Sequence, residues 1–421
     1  MKRPDFFNKL RPLHALLALA AASALALGAC GGNDDSPVTT TTVTAPATST
    51  PAPVPTPTPT VVSPATTTIT IARALLSGDQ EPTPTNTGAL GTGTLQLEMP
   101  SRTVRGTVTL QGMTGTVAHI HIGEVGVNGP VIVDLAQTAP GSGIWTVAGN
   151  GVVVTEAQAA AVMAGGLYFN AHSAEFPGGE IRGQIGRSVL AAQMSAGQEV
   201  PTNASTATGT GFVTLDAATG RIAARLTLFG MTGTVAHIHA ANVGTNGPVI
   251  VDLTQTAPGS GIWLSAPNAT LTSVQMDLLS NGGLYFNAHS ARFPGGEIRG
   301  QIGRNVRFAA LDAAQEVPTN ASVATGTGSL VINPLNRAVV GGEIALTGVV
   351  ARAAHVHTGA TGVNGPVIVD LSDQGNGIWS VPANASASLT AEQFKAFKQG
   401  NLYFNAHSAA FPGGEIRGQI R

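Results

Sequence analysis

Cysteine is almost missing from this chain of 421 residues: Cys30 stands alone, so no intrachain disulfide and no thiolate metal cluster can form. Any metal site must therefore use nitrogen and oxygen ligands. Charge is also scarce, at 10% of residues against an ordinary ~25%. Its signs nearly cancel, with 21 Lys and Arg against 23 Asp and Glu. No one-signed field is available to draw in phosphate backbones over distance, which argues against a nucleic-acid partner. Aromatics reach only 5% although 43% of the residues are hydrophobic and 53 are glycine. That balance favours many short strands and tight turns. At roughly 100–200 residues per domain, the length allows two to four domains and excludes a single small core.

The first thirty residues read as an export signal. Lys2, Arg3, Lys9 and Arg11 give a basic start, and residues 13–27 form an apolar run too short to span a bilayer comfortably. The run ends in Leu27-Gly28-Ala29-Cys30, which resembles the bacterial lipobox, where the cysteine is lipidated and becomes the mature N-terminus. An ordinary cleaved signal with a chance cysteine is the alternative, and export holds under both. Gly31 stands where, in enteric bacteria, an aspartate would favour inner-membrane retention. The expected location is the cell envelope, lipid-anchored on the outer membrane or facing the periplasm. Residues 31–70 then read as a disordered linker, with 36–70 free of charge and dominated by Thr, Pro, Ala, Val and Ser. Pro51, Pro53, Pro55, Pro57 and Pro59 favour an extended polyproline stalk of ~3.1 Å per residue, on the order of 100 Å in all.

The rest is one unit written three times. GMTGTVAHIH starts at Gly112 and again, letter for letter, at Gly230; the third copy is looser, with Ala353-Ala354-His355-Val356-His357. His119, His237 and His355 recur at an even interval of 118 residues. NGPVIVDL recurs from Asn128, Asn246 and Asn364, and FPGGEIRGQI from Phe176, Phe293 and Phe411. Three domains follow, at 71–187, 188–304 and 305–421. The period far exceeds the ~20–50 residues of solenoid repeats, so each unit should own a core.

Within a unit, segments such as 104–110, 117–122, 131–135 and 167–171 are short, β-branched or aromatic, and divided by Gly, Asn and Pro turns. An all-β fold is expected, a Greek-key-like antiparallel sandwich or a barrel. One short helix should interrupt it. Thr155-x-x-Gln158, Thr272-x-x-Gln275 and Thr390-x-x-Gln393 are capping-box patterns, with stops at Gly165, Gly282 and Gly400.

Histidine makes the reading specific. Apart from His14 in the signal, the ten histidines fall three to a unit: His119, His121, His172; His237, His239, His289; His355, His357, His407. On a strand, residues two apart share a face and lie about 6.5–7 Å apart, so His-x-His can aim two imidazoles at one point. Ala118, Ile120 and Ile122 take the opposite, apolar face. A third histidine closes the strand LYFNAH. Two histidines from one strand and one from its neighbour suit Zn²⁺ or Cu²⁺, one ion per repeat, with a position left open. The competing reading is three structural histidines bracing loops through backbone carbonyls.

Other recurring groups have plainer readings. Glu180 and Arg182, with Glu297, Arg299, Glu415 and Arg417, share a strand face and read as a solvated edge, the alternative being support of a histidine ligand. Asp134, Asp252 and Asp370 read as turn formers, with a fourth ligand as the alternative. Trp145, Trp263 and Trp379 read as core or rim aromatics. GxSxG, GxxxxGK[ST] and HExxH are absent, so the balance is against an enzyme.

The pairing of AHIHIG with YFNAHSAEFPGGEIRGQI resembles the CHRD domain, named after the animal protein chordin and also found in exported bacterial proteins. The resemblance covers nearly all of 71–421 and implies a β-rich extracellular module without a well-defined biochemical role. Chordin's growth-factor partners do not transfer to a bacterial lipoprotein. A weaker likeness is to copper–zinc superoxide dismutase, a Greek-key sandwich. There His119 and His121 match paired copper ligands, and His172 a late histidine. That family's fourth copper histidine, bridging histidine, zinc cluster and cysteines have no counterparts. Three functions are consistent with this reading: metal binding or buffering at the envelope, an adhesive or scaffolding array gaining avidity from three copies and meeting an extracellular partner, and, remotely, dismutase-like redox activity.

Overall fold

The computed structural model describes residues 39–43 and 67–421, apart from 383, 385 and 386. The signal segment, Cys30 and most of the Pro/Thr stretch lie outside the described residues. In the first repeat the barrel strands are β1 (Thr67–Ser77), β2 (Leu90–Met99), β3 (Thr103–Gln111), β4 (Val117–Ile122), β5 (Val131–Gln137), β6 (Ile144–Val147), β7 (Leu167–His172) and β8 (Ile181–Gln184), with a helix α1 (Glu156–Ala164) between β6 and β7.

All pairings are antiparallel, and the neighbours run β1-β2-β3-β6-β5-β4-β7-β8 and back to β1. The sheet thus closes on itself, and the second and third repeats close with the same order. β3 lies beside β6 rather than β4, which is the Greek-key crossing; α1 carries the chain back across to place β7 against β4. Closure is narrow, with Ser77 opposite Arg182 as the only β1–β8 rung, repeated by Ser195 with Arg299 and Asp312 with Arg417. Thr39–Val43, inside the expected stalk, adds a further strand against Thr67–Ile71.

The local reasons are visible in the pattern. In β4, Ala118 and Ile120 are buried while His119 and His121 are half-buried on the other face, as strand alternation requires. The glycines of the TGTG segments make room for a large neighbour. A Cβ on Gly93 would crowd the Phe169 ring, and one on Gly211 the Phe286 ring. In the first barrel Phe169 fills the space against glycine, with Ile120, Ile181 and Trp145 in the same cluster. Trp145, Trp263 and Trp379 are core residues.

The capping boxes form in all three helices: Gln158 N–H donates to Thr155 Oγ1 and Thr155 N–H to Gln158 Oε1, and the pairs Thr272/Gln275 and Thr390/Gln393 repeat it. Gly165 ends α1 in the left-handed region at φ 67°. Val162 is fully buried, so the helix is pinned to the barrel where β7 begins. No helix among the described residues is long and apolar enough to cross a membrane.

Candidate metal centre

β4 lies between β5 and β7, and its register sets the site. His119 is opposite Asn170 and His121 opposite Tyr168 on β7, while Val117 is opposite His172. His172 therefore stands beside His119 on the same outer face. The rings of His119 and His172 are 5.2 Å apart and those of His119 and His121 5.5 Å, centroid to centroid. Second-repeat spacings are 5.6 Å for His237–His239 and 5.3 Å for His237–His289. The third repeat has 5.7 Å for His355–His357 and 5.0 Å for His355–His407. In each triad one ring nitrogen per histidine lies within 4.8 Å of the other two. All nine histidines singled out by the sequence are thus gathered, three to a site.

The opposite nitrogens decide which atoms carry protons. Nδ1 of His121 is 2.9 Å from the Gly129 carbonyl oxygen, which can only accept. Nδ1 therefore bears the hydrogen and Nε2 keeps a lone pair. His172 does the same, its Nδ1 3.0 Å from the Pro177 oxygen. Nε2 of His119 faces Asp134 Oδ1 at 3.6 Å, so its Nδ1 is the nitrogen turned toward His172. His119 Nδ1 and His172 Nε2 approach to 3.4 Å, a long hydrogen bond in which the tautomer decides the donor. Buried Nε2 of His121, His239, His289, His357 and His407, and Nδ1 of His237 and His355, have no hydrogen-bond partner. A buried ring nitrogen without a partner is unfavourable, and a cation at the centre of a triad would engage all three of its histidines. This donor set fits a transition metal. Burial also pushes the pKa of His121 and His172 down, opposed by their backbone hydrogen bonds and reinforced by neighbouring His119. The rings are thereby held in the neutral, ligating form.

A second layer fixes these rings. Tyr168 stacks on His121 with centroids 4.8 Å apart and planes 10° from parallel. The Arg182 guanidinium covers the other face of the Tyr168 ring at 3.5 Å. Arg182 Nη1 donates to Val127 O at 3.0 Å and Nη2 to Glu124 O at 2.7 Å, so it clamps the loop that supplies the Gly129 carbonyl. Gly129 also donates its N–H to Tyr168 Oη at 3.0 Å. No side chain fits there, because a Cβ would overlap the Ile122 carbonyl oxygen; Gly247 and Gly365 meet the same obstacle.

Two expectations are corrected. Glu180 and Arg182, with Glu297, Arg299, Glu415 and Arg417, are not a solvated edge: all six are buried, each Arg 1% exposed. The loop after β4 covers the arginines, which support it in turn, and the glutamates accept hydrogen bonds from Thr87, Ser205 and Ser322 in the connections between the first two strands of each barrel. Asp134, Asp252 and Asp370 form no turn. They lie on strands opposite His119, His237 and His355, exposed, with their carboxylates 3.6–3.7 Å from the imidazole.

The sequence reading missed Glu81, Glu199 and Glu316. Each is buried and accepts a hydrogen bond from Asn170, Asn287 or Asn405, the residue two before the last histidine. Burial raises Glu81 and Glu199 to about 7, against the pull of the Asn donor and the nearby Arg. The recurring Gln-Glu one or two residues before a proline, at Gln80, Gln198 and Gln315, was the available signal.

The likeness to dismutase stops at the His-x-His strand, since among the described residues each site gathers three imidazoles and no fourth. A comparison with curated proteins finds no match. A comparison with family descriptions matches the CHRD domain at residues 72–185, 190–302 and 307–420, one match on each barrel. The chain therefore belongs to the CHRD domain family and carries three copies of the domain in tandem.

Proposed function

We propose that each module binds one transition-metal ion, Cu²⁺ or Zn²⁺, through its three histidines. His119 Nδ1, His121 Nε2 and His172 Nε2 are the donor atoms in the first module, with the homologous atoms of the other triads. On this reading the protein is exported, anchored by lipid at Cys30, and serves in metal binding or buffering at the bacterial cell envelope. The observation that carries it is convergence: one ring nitrogen from each histidine of a triad lies within 4.8 Å of the other two, and seven of these nitrogens across the three sites are buried without a hydrogen-bond partner. Hydrogen bonds from the far ring nitrogen to a carbonyl or carboxylate are the usual support of histidine ligands. Three imidazoles with a half-open side leave a coordination position for water or a small ligand.

A second reading draws on the same hydrogen bonds. His121 to Gly129 O and His172 to Pro177 O brace two loops, as structural histidines in an adhesive array would. The two readings part at the seven buried inward nitrogens that have no partner, which bracing leaves unused. Electron paramagnetic resonance of the exported chain loaded with Cu²⁺ separates them. Metal binding predicts hyperfine structure from three imidazole nitrogens, lost from one site when His237 and His239 are both replaced by Ala. A spectrum of loosely bound, water-coordinated Cu²⁺, unchanged by that variant, would leave the bracing reading.

A further inference from the structure

Asp79 is 2% exposed, and the donors to its carboxylate come from other modules. Lys398 Nζ approaches Oδ1 at 2.9 Å, Gln193 Nε2 the same oxygen at 2.8 Å, and Asn305 Nδ2 reaches Oδ2 at 3.1 Å. Gln193 belongs to the second module, Asn305 and Lys398 to the third. Lys398 is as deeply buried, also donating to Thr85 O at 3.2 Å and lying 4.9 Å from the Phe394 ring centre. A buried carboxylate and ammonium are tolerable only when paired and hydrogen-bonded. This pair is satisfied only where all three modules meet.

The partners are not repeat features. In register, Asp79 falls on Gly197 and Ala314, Lys398 on Met163 and Ser280, and Gln193 on Leu75 and Ala310. An apolar joint shows the same pattern. Phe212, on the outer side of its strand between Gly211 and Val213, is 2% exposed because it packs with Val189 and Ala191 of its own module and Val125 of the first. Its counterpart Thr94 is exposed. At the rim of the first and third modules, Lys395 Nζ lies 2.6 Å from Glu175 Oε2, and Arg337 Nη1 donates to Gly88 O at 3.1 Å.

We propose that the three modules are one rigid body closed around Asp79, with their order fixed. The turn carrying Asp79 is an interaction surface whose partner is the Lys398 helix of the third module. The residues at which the copies diverge are the ones that lock the copies together, and the histidine sites stay identical because they take no part. This does not depend on metal binding.

Zero-length carbodiimide cross-linking of the full chain tests it. The chain has four lysines, Lys2, Lys9, Lys395 and Lys398, and the last is buried. The expected product is an amide between Glu175 and Lys395, formed within one molecule at a yield independent of protein concentration and absent in Lys395→Arg. Lys398→Met and Asp79→Gly each install the residue a sister module carries at that place, so the barrel should persist by circular dichroism. The cross-link should fall tenfold or more in both. A wild-type chain without this product, or an undiminished yield in folded variants, overturns the proposal, and the wild-type result stands whatever the variants do.

Discussion

At the scale of single residues, the site is a column: Arg182 on Tyr168 on His121, with Gly129 as the shared backbone anchor. Replacing Arg182 by Lys keeps the charge but loses the planar fork that holds the Glu124 and Val127 carbonyls. We expect Arg182→Lys to lower the unfolding free energy by about 2–4 kcal/mol in denaturant titration, because two buried acceptors lose donors and a charge loses its seat. Metal affinity at that site should weaken with it, as the Gly129 carbonyl drifts from His121. Glu81 gives a second prediction. Its folded pKa is raised to about 7 from 4.5, so the stability it contributes is fully present below 4.5 and lost as pH rises through 7. The histidines act oppositely: His121 and His172 are depressed, so their contribution is present above 6.5 and lost as pH falls. Glu81→Gln keeps the acceptor for Asn170 and removes the ionisation, which should abolish a loss of about 2–3 kcal/mol between pH 5 and 8 in unfolding measured without metal. The nine histidines were legible because strand alternation places His-x-His on one face whatever surrounds it. Arg182 was not, because a charged residue on a short strand reads as exposed until a loop from fifty residues earlier is known to cover it.

At the scale of elements, the helices were legible from their ends. A Thr and a Gln three residues apart, followed by an apolar stretch and a Gly, specify both termini by local hydrogen bonds alone. Thr272→Ala removes the acceptor for Gln275 N–H. We expect it to destabilise the second module by about 1 kcal/mol in thermal or chemical unfolding while leaving its metal affinity nearly unchanged. Glycine inside strands was harder to interpret, since TGTG suggests a weak strand. Its purpose appears only in three dimensions, where Phe286 sits against Gly211. Gly211→Ala should cost roughly 1–3 kcal/mol, because the ring cannot retreat in a closed barrel. The turn reading of Asp252 failed for a similar reason: NGPVIVDL ends on a strand long enough to carry the carboxylate opposite His237.

At the scale of the whole molecule, the three-fold period announced three modules and the barrel order followed in each. How they meet was not legible, because the joints lie where the copies differ and a repeat search discards such positions. Asp79 and Lys398, 319 residues apart, carry no mutual signal in one sequence. The identity of the three sites has a simpler consequence, that capacity should scale with copy number. Metal stoichiometry of the full chain, by elemental analysis after dialysis against limiting chelator, tests the central claim most directly. Wild type should hold three equivalents of Cu²⁺ or Zn²⁺. Successive His→Ala pairs at 119/121, 237/239 and 355/357 should reduce this to two, one and none, with the barrels intact. A folded wild-type chain holding no metal, or a stoichiometry indifferent to these pairs, would contradict the account and leave the histidines as braces of their loops.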